Sequence, residues 1–140
     1  LTADEVRTLN LWGTELVTLS ACETARGSVA IGQGVYGMRR AFLLAGAAAL
    51  VSSLWAVSDE ATDLLMNAYY RRLVSGRPRI SALREAMSEL KKCKPHPYYW
   101  APFIAIGRDE PVSVAARHPK VESQICSERP DSPAVSAPAR

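Results

Sequence analysis

Cysteine and histidine are scarce in this chain, which narrows the kinds of site it can carry. The sequence has three cysteines, Cys22, Cys93 and Cys126, and two histidines, His96 and His118. No two cysteines form a C-x-x-C pair, so their spacing predicts neither a zinc ribbon nor a disulfide framework. Unpaired cysteines are typical of a reducing compartment. We therefore expect a cytoplasmic protein, and no metal site is implied.

Other common signals are also missing. No phosphate-cradling loop with its lysine is present, so no organic cofactor is implied. The chain opens at Leu1 without a charged segment followed by an apolar core, which predicts no signal peptide here and suggests a piece of a longer polypeptide. Residues 41–57 are almost free of charge, but glycine and serines interrupt them. Their composition favours a helix end followed by a strand over a membrane span, so no membrane partner is expected.

Positive charge is concentrated in one segment. The formal net charge is +3, and residues 71–94 contain eight lysines and arginines against Glu85 and Glu89. The simpler interpretation is a solvated helix face, and the alternative is a docking surface for an acidic partner or a nucleic acid. No aromatic-interleaved nucleic-acid motif accompanies this charge, so a nucleic-acid partner is not expected.

Hydrophobic patterning predicts an α/β fold. The chain has 140 residues, of which 48% are hydrophobic, enough for the core of one domain. Helices are predicted at residues 2–10, 35–45, from Asp59 to about Gly76, and 80–92, and strands at 16–21, 48–54 and 102–107. Thr2 and Glu5 have the spacing of a capping box at the first helix. Strands that alternate with helices at these connection lengths indicate a parallel sheet.

The folded part is predicted to end near residue 110. After Gly107 the sequence becomes rich in proline, serine and small residues, and five of the nine prolines follow Glu110. Residues 1–110 are therefore predicted to fold and residues 111–140 to form a disordered tail. Three strands are few for a sheet that is apolar on both faces, so further strands are expected from chain upstream of Leu1.

Cys22 is the residue best placed for chemistry. It follows the apolar run of residues 16–21 and precedes a loop with glycines at 27, 32 and 34. In open α/β sheets, reactive groups gather at the carboxyl ends of strands. A thiol there, close to the start of a helix, is favoured as the thiolate, which is the reacting species. The residues alone leave two interpretations open, a nucleophile or a small buried hydrophobe.

Five short motifs follow one another between about Leu16 and Gly107. They are SACET, G-x-G-V, RAF-x-x-AGA, SLW-x-V-x-D-x-AT and HP-x-YW. In this order they resemble the C-terminal half of a CHAT domain, the caspase-related domain usually attached to tetratricopeptide repeats. The resemblance implies a caspase-like three-layer αβα sandwich with a mostly parallel sheet, the fold of clan CD cysteine peptidases. Residues 1–110 would be only its C-terminal part.

The same resemblance implies a peptidase. It makes Cys22 the nucleophile that attacks the scissile carbonyl of a protein or peptide substrate. The family's histidine base lies on a His-Gly loop after an earlier strand, which this sequence lacks. His96 belongs to HP-x-YW and is expected to pack beside Trp100 or to cap the preceding helix, and His118 lies in the tail. This chain by itself is therefore expected to be inactive or poor as a peptidase. Upstream tetratricopeptide repeats or another fused sensor region are the implied partners.

Ser53, Trp55 and Asp59 are candidates, by resemblance, for binding the residue before the cleaved bond. Trp55 would offer an apolar wall or else close the core, and Asp59 would attract a basic side chain or else cap a helix. Gln33 is a further substrate-binding candidate, although the family usually has glutamate there and glycine in place of Ala25. These two departures motivate the alternative function, a non-catalytic interaction or scaffold domain.

Overall fold

The computed structural model describes residues 2–19 and 34–113. Their elements, in chain order, are α1 (Ala3–Arg7), β1 (Val17–Leu19), α2 (Gly34–Leu44), β2 (Ala49–Ser53), α3 (Asp59–Val74), α4 (Arg79–Cys93), α5 (Pro97–Trp100) and β3 (Phe103–Gly107). Cys22, Ala25, Gln33 and His118 lie outside the described residues, as does the predicted tail from residue 114 onward.

The three described strands form a mixed sheet with β2 in the centre. β1 pairs with β2 in parallel, with Leu19 opposite Ser52, whereas β3 runs antiparallel to β2, with Phe103 opposite Ser53. The predicted α/β class is confirmed. The sheet is mixed, however, because the expected parallel direction holds for β1 and β2 and not for β3.

A helical hairpin explains the direction of β3. After β2 the chain crosses the sheet along α3, which has 16 residues, and returns along α4, which has 15. Two helices of nearly equal length bring the chain back to the edge where β2 ended. A single crossover helix would have delivered it to the opposite edge, as a parallel strand requires.

Both faces of the sheet are covered by helices. The core between the sheet and the α3–α4 hairpin includes Val51, Leu65, Tyr69, Leu90 and Phe103. The core between the sheet and α1–α2 includes Val6, Ala41, Phe42 and Leu50. Neighbouring residues of β2 therefore enter different cores, because side chains alternate along a strand. This arrangement accounts for the apolar character of β2 on both of its faces.

Several predicted ends of helices and strands agree with the structure. Glu5 N–H donates to Thr2 Oγ1 at 3.2 Å and Thr2 N–H donates to Glu5 Oε2 at 2.6 Å, which completes the predicted capping box. The charge-poor residues 41–57 divide as expected into the end of α2 and β2. Among the residues that the structure describes, no helix is both long and apolar enough to cross a bilayer.

Cys93, the last residue of α4, forms a disulfide bond. The spacing of the cysteines, which predicts no disulfide framework, did not indicate this single bond. Spacing along the sequence does not determine which cysteines a fold brings together. Any experiment that reads thiol chemistry in this chain needs prior reduction.

The segment after β3 is tied to the domain through Ser113. Val112 packs against the α3–α4 core, and Ser113 donates from N–H and Oγ to the carboxylate of Glu15 at 2.9 and 2.6 Å. The described fold thus continues three residues beyond the predicted boundary at residue 110.

Asp109 supplies the N-terminal cap that α4 lacks locally. Pro78 stands at the N-cap position and offers no side-chain acceptor. Asp109 Oδ1 instead accepts from the N–H groups of Ile80 and Ser81 at 2.7 and 3.2 Å, and Oδ2 accepts from Ser81 Oγ at 2.8 Å. Partial burial raises the pKa of Asp109, but these hydrogen bonds outweigh it, so that the pKa lies below its ordinary value of 3.8.

We expect Asp109→Ala to lower the free energy of unfolding by about 1 kcal/mol, the usual cost of a lost helix cap. Asp109→Asn, which keeps one acceptor oxygen, should cost less. Because folding lowers this pKa, the ionic contribution is complete above pH 3.8 and is lost as the pH falls further. Urea denaturation at pH 7 and pH 3 measures both effects. Equal losses for Asp109→Ala at the two pH values would contradict the ionic contribution, and no loss at pH 7 would contradict the capping role.

Candidate active site

The carboxyl ends of β1 and β2 lie side by side. Leu19, the last residue of β1, is opposite Ser52, so the chain leaves both strands at one edge of the sheet. β3 begins at the same edge, since Phe103 pairs with Ser53. We call this the carboxyl edge. Open α/β sheets collect their ligands and reactive groups at such an edge.

The loop after β2 is fastened to α5 at the carboxyl edge. Trp55 Nε1–H donates to the carbonyl oxygen of Tyr98 at 3.2 Å, and the Tyr98 hydroxyl donates to the carbonyl oxygen of Ala56 at 2.8 Å. Leu54 N–H donates to Pro102 O at 2.8 Å and extends the β2–β3 pairing by one step. These hydrogen bonds hold the loop in one position relative to the sheet.

Trp55 is a surface residue of this edge. Its side chain is 38% exposed, and that of its partner Tyr98 is 37% exposed. Val57, which is 8% exposed, is the loop residue that enters the α3–α4 core. The Trp55 and Tyr98 side chains therefore both lie partly exposed at the carboxyl edge.

Ser58, rather than Asp59, caps α3. Ser58 Oγ accepts from Ala61 N–H at 3.3 Å, and Asp59 is the first helical residue. The predicted cap was wrong by one position because serine and aspartate are equally good N-caps and stand next to each other. Asp59 is exposed and forms no ion pair with another described residue, whereas Glu60 pairs with Lys94 at 3.3 Å. The carboxylate of Asp59 is thus available at the carboxyl edge.

The two serines that end β2 differ in burial. Ser53 is partly buried and lies on the same face of the sheet as Val51. Ser52 is 5% exposed, and its hydroxyl has no hydrogen-bond partner within the described part of the chain. Of the four predicted substrate-binding residues, the structure places Ser53, Trp55 and Asp59 at the carboxyl edge. The fourth, Gln33, lies outside the described residues.

His96 acts as a helix cap. Its Nδ1 accepts from Tyr98 N–H at 3.2 Å and begins α5, and its ring meets Tyr99 edge-on with 6.4 Å between centroids. The prediction that it caps the preceding helix was wrong, because the C-cap of α4 is Lys94. The Trp100 indole donates to Pro95 O, next to His96, at 3.2 Å.

Tyr98 is the residue of this edge that the sequence analysis missed. It occupies the unspecified position of HP-x-YW, where a motif gives no reason to single out a side chain. Tyrosine, like tryptophan, carries a hydrogen-bond donor on an apolar ring, and such residues often lie where an apolar surface meets water. This property is the one sequence signal that could have pointed to Tyr98.

Comparisons with known proteins identify the family of this chain. The family model described as the CHAT domain matches residues 1–108. Tetratricopeptide repeat protein 28 of Mus musculus is 37% identical over 111 residues, and that of Homo sapiens is 38% identical over 111 residues. Each match covers 78% of this chain and 4% of the relative, so the chain spans a small part of these proteins. No solved structure matches. By its sequence, the chain belongs to the CHAT domain family.

Proposed function

We propose that this chain is the nucleophile-bearing part of a caspase-like cysteine endopeptidase, with Cys22 as the nucleophile. Its family is linked to caspase-like proteases, which supports the reaction class. The observation that carries the proposal is the parallel register of β1 and β2. It brings the strand that precedes Cys22 beside the loop that holds Trp55 and Asp59.

Chain length limits where the thiol can lie. Cys22 follows Leu19 by three residues, and three residues span at most about 11 Å. Along the chain, the proposed nucleophile therefore comes directly after a strand that ends at the carboxyl edge. The helices on both faces of the sheet and the parallel β1–β2 pair support a caspase-like sandwich as the proposed fold.

The proposed reaction is acyl transfer. The Cys22 thiolate attacks the carbonyl carbon of the scissile peptide, the amine departs with a proton, and water then hydrolyses the thioester. The base is proposed to be a histidine from chain outside this sequence, because Nδ1 of His96, the histidine that the structure describes, is occupied as the cap of α5.

The carboxyl edge offers contacts for a substrate. In this proposal Trp55 and Tyr98 form an apolar wall, and the exposed Asp59 carboxylate attracts a basic side chain. Ser53 and Gln33 are proposed to complete the substrate contacts. Fusion to tetratricopeptide repeats is proposed because both relatives are tetratricopeptide repeat proteins.

Alkylation of the reduced protein tests the nucleophile. Iodoacetamide rates at Cys22, Cys93 and Cys126 are measured by mass spectrometry in this chain and in a longer protein that includes upstream sequence. We expect Cys22 in the longer protein to react at least about tenfold faster at pH 7 than the other two, because a paired thiolate is already deprotonated. A peptide cleaved by the longer protein should survive incubation with its Cys22→Ala variant.

Ordinary thiol rates in both proteins, together with no peptide cleavage, would refute the peptidase. The second candidate is then a non-catalytic scaffold domain, which the departures at Ala25 and Gln33 and the basic residues 71–94 favour. The scaffold function predicts that Cys22→Ala leaves partner binding and cellular function unchanged.

A further inference from the structure

A groove of about 340 Å³ lies between α4 and β3. Its apolar lining consists of Ile80, Leu83 and Met87 from α4, with Trp100, Phe103 and Ala105. Ile80, Leu83 and Met87 recur at helical spacing and form one stripe along α4. Ile80 and Met87 are only partly buried, so the stripe is incompletely covered.

The groove follows an open edge of the sheet. Within residues 2–19 and 34–113, β3 pairs with β2 and with no strand on its other side. Because α4 packs over β3 and its apolar stripe is left partly uncovered beside that strand, the helix layer extends further than the sheet does. One more strand, about 4.8 Å from β3, would lie beneath the stripe.

The backbone of β3 presents hydrogen-bonding groups to that space. Pro102 O accepts from Leu54 N–H, and Arg108 N–H donates to Ala48 O, so even-numbered residues turn their backbone groups toward β2. Alternation along an antiparallel pair then turns the N–H and C=O groups of Phe103 and Ala105 outward. These are the groups that an added strand would pair with.

The groove is positively charged at its rim. Much of the basic charge of residues 71–94 is neutralised within the domain, by ion pairs of Arg72 with Glu85 and Glu89, of Arg77 with Glu85, of Arg79 with Glu15 and of Lys94 with Glu60. Arg84 and Lys91 line the groove, and no carboxylate is found among its described lining residues. Arg84 also lies close enough to Asp109 to lower the pKa of that carboxyl, so Lys91 carries most of the free charge of the rim. The Lys91 ammonium lies 5.0 Å from the centroid of the Trp100 ring.

We propose that an extended, acidic segment of a protein partner binds here as a fourth strand on β3. Its backbone would pair with Phe103 and Ala105, its alternate apolar side chains would pack under the α4 stripe, and its acidic side chains would approach Arg84 and Lys91. Backbone pairing supplies affinity in this mode, and the pockets for alternate side chains supply specificity.

The charge pattern distinguishes this partner from two others. A second copy of this chain, pairing β3 with β3, would bring two sets of Arg84 and Lys91 together, and like charges so placed oppose binding. A nucleic acid would satisfy the cations but leave the apolar floor of Ile80, Leu83 and Met87 exposed. An acidic peptide with alternating apolar residues satisfies both.

Binding of two blocked decapeptides to the 140-residue chain tests the proposal. One alternates valine with glutamate and the other valine with lysine, and affinity is followed by fluorescence anisotropy. We expect the glutamate peptide to bind at least about tenfold more tightly than the lysine peptide. Ala105→Pro, which removes an outward N–H that β2 does not use, should weaken its binding at least about tenfold, because proline is tolerated on edge strands.

Charge variants of α4 provide a second test of the proposal. Lys91→Glu should weaken binding of the glutamate peptide about fivefold or more, whereas Lys92→Glu, on the same helix but outside the groove lining, should change it by less than about twofold. Circular dichroism melts confirm that each variant is folded.

Three results would overturn the proposal. They are equal affinity for the two peptides, equal effects of Lys91→Glu and Lys92→Glu, and stronger competition by a single-stranded oligonucleotide than by the glutamate peptide. Concentration-dependent dimers in sedimentation that disappear in Ala105→Pro would assign the edge to self-association instead. None of these measurements depends on Cys22, so they are independent of the peptidase proposal.

Discussion

Gly107→Ala is expected to destabilise the domain by at least about 3 kcal/mol, the sum of a strained backbone and an overpacked contact. Gly107 ends β3 with φ of +111°, a conformation that residues with a Cβ rarely adopt. A Cβ at this position would lie 2.7 Å from Ala49 Cα and in collision with Ala48 O. Both are backbone atoms, one in the first residue of β2 and one in the residue before it, so relief requires separating β3 from the central strand.

Gly13→Ala is the matched control. Gly13 also has positive φ, +89°, but a Cβ there would meet nothing within 4 Å. Only the conformational cost then remains, about 1 kcal/mol. Urea denaturation followed by circular dichroism compares the two variants. Similar losses of stability for both would show that the close approach of β2 and β3 is unimportant.

Sequence periodicity predicted the local elements because their causes are local. The capping box of Thr2 and Glu5 and the helical spacing in α3 and α4 each involve residues a few positions apart. The boundaries of β2 were predicted to within one residue, since an apolar run bounded by turn residues is a strong signal. The fold class follows from the order of these elements.

Features that depend on distant residues were not predictable from local patterns. The direction of β3 depends on the return path of the α3–α4 hairpin. The hydrophobic pattern of a strand does not show whether the strand runs parallel or antiparallel to its neighbour. The cap of α4 comes from Asp109, 28 to 29 residues away from the groups it binds. A local pattern around α4 therefore does not include Asp109.

The candidate site likewise has a part that the sequence predicted and a part that it did not. Motif order pointed to the loop that carries Ser53, Trp55 and Asp59, and the structure places this loop at the carboxyl edge. The contact between Trp55 and Tyr98 joins residues 43 positions apart, so it emerges only when the sheet brings β2 and β3 together. The role of Cys22 remains a proposal that rests on family and on the end of β1.

A buried arginine provides the second large expected effect on stability. Arg79 is 3% exposed, and its Nε and Nη1 atoms have no hydrogen-bond partner within the described part of the chain. The carboxylate of Glu15, 35% exposed, lies 3.8 Å from Nη2. Removing one partner of a buried pair leaves an uncompensated charge, which typically costs 3–5 kcal/mol. Since water partly screens Glu15, we expect about 2 kcal/mol for Glu15→Gln.

The double variant separates the charge from the other contacts of Glu15. In the Arg79→Met background the buried cation beside Glu15 is gone, and Glu15→Gln should then cost only about 1 kcal/mol, the part due to the hydrogen bonds from Ser113. The pKa of Glu15 is lowered by hydrogen bonds from Ser113 and by the charge of Arg79. A lowered pKa means that the stabilisation is complete above pH 4.5 and is lost as the pH falls below that value. Glu15→Gln should therefore reduce the loss of unfolding free energy between pH 4.5 and lower pH. An equal cost of Glu15→Gln in both backgrounds would show that Arg79 does not depend on this carboxylate.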